Sequence, residues 1–492
     1  MYMNYKLRNF IKAEQVKNNY SLYKNDEMHL EFDIPEEYKP KSQNIFKITY
    51  FLIPVNSENI KFNLQDEQFI IENLYIKIDD KLYTPFFLHP TSISIFKNWI
   101  TDKYTYVNES ESIFEATPTS SYRSLLIHNI KKDSYFIAKV SMFGNVANGA
   151  RQIDWISAEG QFFFSTCTNK AVKKIKNFRL LRDIAAIKLT GDYPIHFSKR
   201  YQIAYGPNKI QSFGNVIRRL DELFDNNEES FILSIASITS IVDKNDCYLK
   251  KIYLTSQKKF SDFFMTDLMI PLFKIMIKLF SKYGISLESH CQNTLLEIDK
   301  DWKLTGNFYY RDFDITCFDR GRFPFIFKEE WEEYVTNRPD RTSLFSNLSA
   351  REELGSNFFN YLIGNLEKPC LLCAEELGII SKEESWNIHH KIYSYFRNEF
   401  IKMIPEYNKK LFESDLWPHW KDIFKNIDIS EIPCKLEKVK KIDFINYEKI
   451  LINNPELKTT NYYKAENGYI LGFSKKIFTE LYMKKRELYG KY

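Results

Sequence analysis

The sequence lacks the short motifs that identify several common enzyme classes. It has no Gly-x-x-x-x-Gly-Lys loop, no His-Glu-x-x-His helix and no Gly-x-Ser-x-Gly elbow, which argues against P-loop, zincin and α/β-hydrolase sites. Its seven cysteines are an odd number scattered along 492 residues, so they do not indicate a disulfide framework and suit a reducing cytoplasm. Cys370 and Cys373 have a zinc-like spacing without a second pair, and we interpret them as structural helix positions.

Signals for export, membrane insertion and nucleic-acid binding are also lacking. Residues 1–8 are not followed by an apolar stretch of signal-peptide length. The most apolar segment, residues 260–280, contains four charged residues that would be costly in a bilayer, so it predicts a buried helix. The net charge of +5 comes from 69 basic and 64 acidic residues without a large basic block. We therefore expect a cytoplasmic protein with no nucleic-acid or membrane partner.

The composition is that of an ordered globular protein, and two kinds of periodicity divide the chain. Its length exceeds the roughly 250–300 residues of a single core. Short alternating runs in residues 28–82 predict antiparallel strands, and residues 135–143 and 161–165 predict further strands of the same sheet. A 3.6-residue period at residues 215–224 predicts helices from there to the end. The exception is Thr294–Phe313, a predicted β-hairpin, so the fold class is α+β.

Polar residues concentrate where the predicted buried helix ends at Gly284. The loop that follows contains Glu288, His290, Gln292 and Asn293, and Asp312 comes directly after the hairpin. A triphosphate requires a divalent cation, and Mg²⁺ prefers oxygen ligands, which Glu288, Asn293 and Asp312 can supply. Protein kinases place an Asn and an Asp around a hairpin in a similar way. These residues therefore predict a magnesium-nucleotide site.

A second group of residues is cationic and precedes the helical half of the chain. Ser121, Arg123 and Ser124 lie in one short segment, Lys139 lies within an otherwise apolar predicted strand, and Arg151 follows twelve positions later. Arg binds phosphate or carboxylate in a fork and Lys acts as a point charge, so the group suits a polyphosphate and a carboxylate.

Each group has a purely structural alternative. His290 and Asn293 would cap the preceding helix, and Asp312 would pair with Arg311 or Arg320. Lys139 would lie on an edge strand with its ammonium group in water, and Arg151 would be an ordinary loop residue. The residues by themselves leave these alternatives open.

Taken in order, the two groups resemble the nonribosomal-peptide-independent siderophore synthetases of the aerobactin-synthetase type. That family carries a Tyr-Gly, a Glu-x-His-Gly-Gln-Asn and an Arg-Asp-Phe series. This chain has Tyr283-Gly284, then Glu288-Ser289-His290-Cys291-Gln292-Asn293, then Arg311-Asp312-Phe313. The family's Ser-x-Arg-Thr-Leu motif is matched by Ser121-Tyr122-Arg123-Ser124-Leu125.

The resemblance implies a hand-like fold, with β-rich fingers and a helical palm with remote kinase-like features, assembled as a homodimer. The implied regions are a shortened N-terminal region 1–88, fingers 89–212 and palm 213–492. The implied reaction uses ATP and Mg²⁺ to adenylate a citrate-like carboxylic acid, which condenses with an amine or hydroxyl nucleophile in siderophore biosynthesis.

The resemblance also implies a role for each candidate residue. Five residues would bind ATP and its phosphates: Ser121, Arg123, Ser124, Lys139 and Gln292. Arg151 and His290 would bind the substrate carboxylate and act in catalysis, and Glu288, Asn293 and Asp312 would hold Mg²⁺.

The chain departs from the family pattern in several places. The N-terminal His-Pro-x-His-Pro-x-x-Lys signature has no counterpart, Cys291 replaces a Gly, Ser124 replaces a Thr, and Ala147 stands where a Thr is common. The missing signature leaves open a degenerate member that acts as a binding protein. The hairpin between Asn293 and Asp312 leaves open a kinase-like small-molecule phosphotransferase.

Overall fold

The structure is a computed structural model that describes most of the first 403 residues and three short strands beyond them. The described ranges are 5–15, 34–39, 42–56, 58–100, 102–143, 145–146, 149–195, 210–223, 230–241, 247–314, 316–319, 323–330, 348–349, 358, 360–403, 437–439, 462–464 and 470–471. Ala147, Arg320 and the predicted strand residues before 34 lie outside them.

Fourteen strands lie in the described part of residues 1–219. They are β1 Phe46–Lys47, β2 Tyr50–Pro54, β3 Ile60–Phe62, β4 Ile76–Ile78, β5 Lys81–Phe87, β6 Thr105–Val107, β7 Phe114–Pro118, β8 Ser124–Asn129, β9 Ser134–Lys139, β10 Asn145–Val146, β11 Gly149–Ala150, β12 Phe178–Leu180, β13 Asp183–Ile195 and β14 Ile210–Arg219. The described strands that follow are β15 Ser230–Ser234, β16 Ile285–Ser286, β17 Thr294–Asp299, β18 Leu304–Tyr310, β19 Cys317–Asp319, β20 Leu348–Ser349, β21 Glu437–Val439, β22 Tyr462–Lys464 and β23 Ile470–Leu471.

The described α-helices divide between the two halves of the chain. They are α1 Tyr5–Glu14, α2 Glu67–Asn73, α3 Ile93–Trp99, α4 Trp155–Val172, α5 Ile235–Ile238, α6 Tyr248–Ser256, α7 Phe260–Phe263, α8 Ile270–Lys278, α9 Phe323–Ile326, α10 Lys368–Glu376 and α11 Lys382–Met403. Wider π-helical turns extend three of them at Phe264–Met269, Leu279–Tyr283 and Asn360–Glu367. Within the described residues, none of these helices combines the length and apolarity that crossing a bilayer requires.

Two sheets form the first half of the chain. A seven-stranded antiparallel sheet has the order β1-β7-β8-β9-β14-β13-β3, and a four-stranded antiparallel sheet has the order β4-β5-β2-β6. They share a core rich in aromatic rings, in which the Phe87 and Phe114 centroids lie 5.1 Å apart. Because β9 lies between β8 and β14, any charged residue on it is placed inside the sheet and away from its edges.

Helix α4 covers the opposite face of the seven-stranded sheet. Its N-terminus is capped by Asp154, whose carboxylate accepts from the Ser157 backbone N–H at 2.6 Å. A Cβ on Gly214 of β14 would lie 2.2 Å from the Cβ of Ala158, so glycine is what allows the helix to approach this strand.

The second half of the chain contains a smaller sheet and most of the helices. The strand order is β12-β18-β17-β15, with β12 parallel to β18 and the other pairs antiparallel. Strands β17 and β18 form the predicted hairpin. The helical run from Phe260 to Tyr283 is buried along most of its length, as the sequence predicted. Cys370 and Cys373 are buried in α10, which confirms their interpretation as helix positions.

Helix α1 joins the two halves. Its last residue, Glu14, pairs with Arg311 after the hairpin at 2.7 Å, and both side chains are buried. The Glu14 carbonyl also accepts from the Ser120 N–H at 2.6 Å, and the Ala13 carbonyl accepts from the Ser237 hydroxyl at 2.6 Å. One short helix therefore contacts both sides of the region between them.

The predicted α+β class is confirmed, but three predicted elements are wrong. Residues 161–165 lie in α4, because an apolar run buried on most sides has no periodicity that separates helix from strand. Residues 215–219 belong to β14. The two arginines there imitated the polar face of a helix, because Arg218 pairs with the buried Asp183 and the partly exposed Arg219 pairs with Asp221. Helices were also expected to the end of the chain, where β21 to β23 are strands.

Candidate active site

Lys139 is buried at the meeting point of the two halves. It ends β9, where it pairs with Ser124 of β8 and Val216 of β14, and its side chain is 3% exposed. Its ammonium group donates to Asp312 at 2.7 Å and to Gln161 of α4 at 2.8 Å. The edge-strand alternative for Lys139 is therefore wrong, because the lysine is central in its sheet and bonded to Asp312 of the other half.

Asp312 follows the hairpin directly, and its carboxylate contacts Lys139 of β9. Its backbone is left-handed, with φ of 75°, and the Tyr310 hydroxyl donates to its carbonyl at 2.8 Å. Burial alone would raise the pKa of this carboxyl, but the positive charges of Lys139, Arg218 and Arg123 outweigh burial and hold its pKa well below the usual range. Asp312 is therefore an anion paired with Lys139, a partner different from the Arg311 or Arg320 of the structural alternative.

Arg123 makes a second ion pair between the two halves. Its guanidinium group lies 3.4 Å from the Asp314 carboxylate and 3.4 Å from the Gln152 carbonyl. The turn before it is held by Ser121, whose hydroxyl accepts from the Ser124 N–H at 3.0 Å. Asp314 also lies 3.7 Å from Lys139, so two carboxylates of one half neutralise two cations of the other.

The loop after the buried helix lies beside these ion pairs. The Tyr310 hydroxyl accepts from the Glu288 N–H at 3.0 Å and thereby links Glu288 to Asp312. The Asn293 amide is 3.4 Å from the Glu288 carboxylate, and the Gln292 amide is 3.4 Å from the Ser120 hydroxyl. Hydrogen bonds within the loop and between the two halves thus hold the predicted phosphate and metal residues in one region.

His290 is a neutral imidazole with a defined tautomer. Burial lowers its pKa to about 4. The negative charge of Asp312 opposes this effect, and the positive charges of Arg311 and Arg151 add to it. Its Nδ1 accepts from the Gln292 N–H at 3.1 Å, so in the neutral ring the proton is on Nε2. About a quarter of the side chain, 27%, is exposed, and Nε2 lies 3.9 Å from the Glu288 carboxylate. Nε2 is therefore a hydrogen-bond donor.

Arg151 completes the set of predicted cations. It follows β11, and its carbonyl accepts from the Met142 N–H at 3.1 Å. Its charge is close enough to His290 to lower the pKa of that residue. The cations Arg123, Lys139 and Arg151 thus lie in one region with His290 and Asp312, although they are far apart in sequence.

The predicted metal residues fit Mg²⁺ through their chemistry. Two carboxylates, Glu288 and Asp312, and the Asn293 amide are hard oxygen donors, and Mg²⁺ is commonly held by one or two carboxylates together with substrate phosphates. Among the described residues, no three His, Cys, Asp or Glu side chains form a ready cluster for a metal ion. A site of this composition would need the phosphates themselves to complete it.

Several residues that contact the predicted ones carried no separate signal in the sequence. Asp314 could have been found from its position two residues after Asp312, whereas Gln161 was assigned to a strand and Glu14 lies in α1, a helix that was not predicted. Arg218 and Asp183 form a buried ion pair at 2.8 Å beside Lys139. In the sequence they look like ordinary charged residues, because their pairing depends on the register of β13 and β14.

Solved siderophore synthetases have a similar fold. ATP-bound aerobactin synthetase IucA from a hypervirulent pathotype of Klebsiella pneumoniae has a TM-score of 0.57 and 17% identity, covering 81% of this chain and 71% of that chain. Petrobactin biosynthesis protein AsbB from Bacillus anthracis has a TM-score of 0.60 and 16% identity, covering 88% of this chain and 74% of that chain. These likenesses confirm, at the level of the fold, the resemblance that the motifs indicated.

Sequence comparison adds one family match. Residues 268–427 match a family described as ferric iron reductase FhuF-like transporter. This stretch includes the loop with His290 and the hairpin that precedes Asp312. No curated protein sequence matches the chain.

Proposed function

We propose that the chain is an ATP-dependent carboxylate–amine ligase of siderophore biosynthesis, which forms an acyl-adenylate and releases pyrophosphate. The observation that carries this proposal is the meeting of Arg123 and Lys139 with Asp312 and Asp314, beside the neutral donor His290. These two cations would bind a polyphosphate by exchanging their carboxylate partners for phosphate oxygens. The fold shared with siderophore synthetases and the iron-related family match support the same assignment.

The phosphates of ATP would bind mainly to the first half of the protein. Lys139 and Arg123 supply charge, Ser121 and Ser124 hold the turn before β8, and Gln292 supplies an amide from the opposite side. Glu288, Asn293 and Asp312 would hold the Mg²⁺ that accompanies ATP, which would neutralise phosphate charge. Lys139 and Arg123 would then exchange a carboxylate partner for a phosphate partner.

The substrate carboxylate would bind near Arg151 and His290. Arginine suits a carboxylate because its planar fork donates two parallel hydrogen bonds. His290 donates from Nε2 without bringing a full charge, so it would stabilise negative charge that develops as the carboxylate attacks the α-phosphate. Removing one such preorganised donor typically lowers kcat by about 10²–10³.

The adenylate makes the second step easier. The carboxylate oxygen forms a bond to the α-phosphorus and pyrophosphate leaves; the nucleophile then attacks the acyl carbon and AMP leaves. The enzyme need only orient the amine or hydroxyl and exclude water. The same proposal includes a citrate-like acid, a cytoplasmic location and a homodimer. It also includes a hand-like fold with kinase-like features, divided into regions 1–88, 89–212 and 213–492.

A pyrophosphate-release assay tests the proposal. The purified chain is incubated with MgATP, hydroxylamine and a panel of di- and tricarboxylic acids, and both pyrophosphate and ADP are measured. We expect carboxylate-dependent pyrophosphate release that Arg151→Ala and His290→Ala nearly abolish. ADP as the product would favour the phosphotransferase, and no nucleotide turnover across the panel would favour the binding protein.

A further inference from the structure

Gln161 is a buried residue in direct contact with the central lysine of the site. It lies in α4, it is 1% exposed, and its Oε1 accepts from the Lys139 ammonium group at 2.8 Å. The other close partner of Lys139 is Asp312, which belongs to the opposite half of the chain. Gln161 is thus the partner that belongs to the same half as Lys139.

The charge of each partner determines what it does to Lys139. Asp312 cancels the positive charge of the lysine, whereas the Gln161 amide is neutral and fixes the direction of the ammonium group without cancelling its charge. Helix α4 packs against β13 and β14, with the Ser165 hydroxyl accepting from the Asp183 N–H at 3.0 Å. The amide is therefore held by the same layer that holds β9.

The orientation of the Gln161 amide follows from its partner. A lysine ammonium group only donates, so the amide oxygen must be directed at Lys139 and the NH₂ group must point elsewhere. That NH₂ group is buried and has no hydrogen-bond acceptor among the described residues. A buried donor left without an acceptor costs free energy, so this NH₂ group calls for an explanation.

We propose that Gln161 is a positioning residue that holds Lys139 toward the nucleotide phosphates and leaves its charge available to them. The inference rests on the proposed function. When Asp312 gives up Lys139 to the phosphates, Gln161 keeps the ammonium group in place. A carboxylate at this position would instead hold the lysine as a permanent ion pair.

Two variants of similar size test the assignment. Gln161→Met removes the acceptor, and Gln161→Glu adds a negative charge beside Lys139. We expect the KM for ATP to rise about tenfold or more with Gln161→Met and further with Gln161→Glu, because hydrogen bonds to charged groups have that strength. The KM for the carboxylic acid and the circular-dichroism spectrum should change little.

Gln65→Glu is the matched control. Gln65 is exposed and lies 3.5 Å from the Lys173 ammonium group, so the variant places a carboxylate beside a lysine on the surface. It should bind nucleotide as the unmodified chain does. The second readout is the rise in melting temperature caused by MgATP or by magnesium tripolyphosphate, which needs no turnover. Both Gln161 variants should lose most of it.

The outcomes separate this inference from the proposed function. If MgATP stabilises both Gln161 variants as much as it stabilises the unmodified chain, the positioning role is overturned while the ligase proposal stands. If only the melting temperature of the nucleotide-free variants falls, Gln161 serves packing and the inference is likewise overturned. If the unmodified chain shows neither stabilisation by MgATP nor pyrophosphate release, the proposed function fails and the inference fails with it.

Discussion

The ion pair between Lys139 and Asp312 should be one of the stronger charge pairs of the nucleotide-free chain. Its two atoms lie 2.7 Å apart, and the side chains are 3% and 24% exposed. Removing one partner of a buried pair typically costs about 3–5 kcal/mol, because the other charge is left without compensation. Lys139 keeps the Gln161 amide and Asp312 keeps the field of Arg218, so we expect the lower end, about 3 kcal/mol, for Lys139→Met and for Asp312→Asn.

A double-mutant cycle isolates the pair from its surroundings. The double variant removes both charges and leaves neither uncompensated, so its loss should fall short of the summed single losses by about 2 kcal/mol. Urea unfolding of the nucleotide-free chain, followed by circular dichroism, gives the free energies.

The exposed pair between Lys258 and Asp267 supplies the matched cycle. Its atoms are also close, at 2.6 Å, but the side chains are 45% and 28% exposed. A surface pair of this kind is worth about 0–1 kcal/mol. Equal coupling energies in the two cycles would refute the idea that Lys139 and Asp312 form a buried pair in the folded chain, and with it the exchange of partners proposed for nucleotide binding.

Three further predictions concern pH, packing and the metal. Burial lowers the pKa of His290 to about 4, so the unfolded chain gains a proton near pH 6.5 that the folded chain does not take up. This contribution to stability is complete above pH 6.5 and is lost as the pH falls toward 4. Between those two pH values, the unfolding free energy of His290→Asn should therefore fall by about 3 kcal/mol less than that of the unmodified chain. Gly214→Ala should destabilise the chain by about 1–3 kcal/mol in urea unfolding, because its Cβ would lie 2.2 Å from that of Ala158, whereas Gly160→Ala, where nothing lies within 4 Å, should not. ATP with a chelator should raise the melting temperature much less than MgATP does; equal shifts would contradict the assignment of the Asp312 carboxylate to Mg²⁺.

The local parts of the fold could be predicted from the sequence. The hairpin of β17 and β18 has apolar runs on both sides of a turn, and the helical run from Phe260 to Tyr283 has no competing pattern. The errors at residues 161–165 and in β14 share a cause. An apolar run buried on most sides has no visible period, and a central strand whose arginines pair with nearby carboxylates looks amphipathic.

The candidate site could be predicted only as far as its motifs reach. Lys139 was recognisable because a lysine in an apolar strand requires a partner, but that partner, Asp312, lies 173 positions away and became evident only in three dimensions. Gln161 had no signal, since its role depends on how close α4 approaches β14, and Gly214 sets that distance. Pairings set by strand register and helix packing are not written into short stretches of sequence.

The balance of charge between the two halves explains why nucleotide and metal would have to arrive together. In the nucleotide-free chain Arg123, Lys139 and Arg218 contact or closely approach Asp314, Asp312 and Asp183, so three cations and three carboxylates compensate one another. A bare polyphosphate would compete with Asp312 and Asp314 for the same cations and would leave those carboxylates beside its own negative charge, an arrangement that costs several kcal/mol in a buried setting. A divalent cation supplied with the phosphates gives the displaced carboxylates a new counter-charge. On this reasoning the buried pair of Arg218 and Asp183 keeps its geometry throughout, and the pairs made by Asp312 and Asp314 are the ones that exchange.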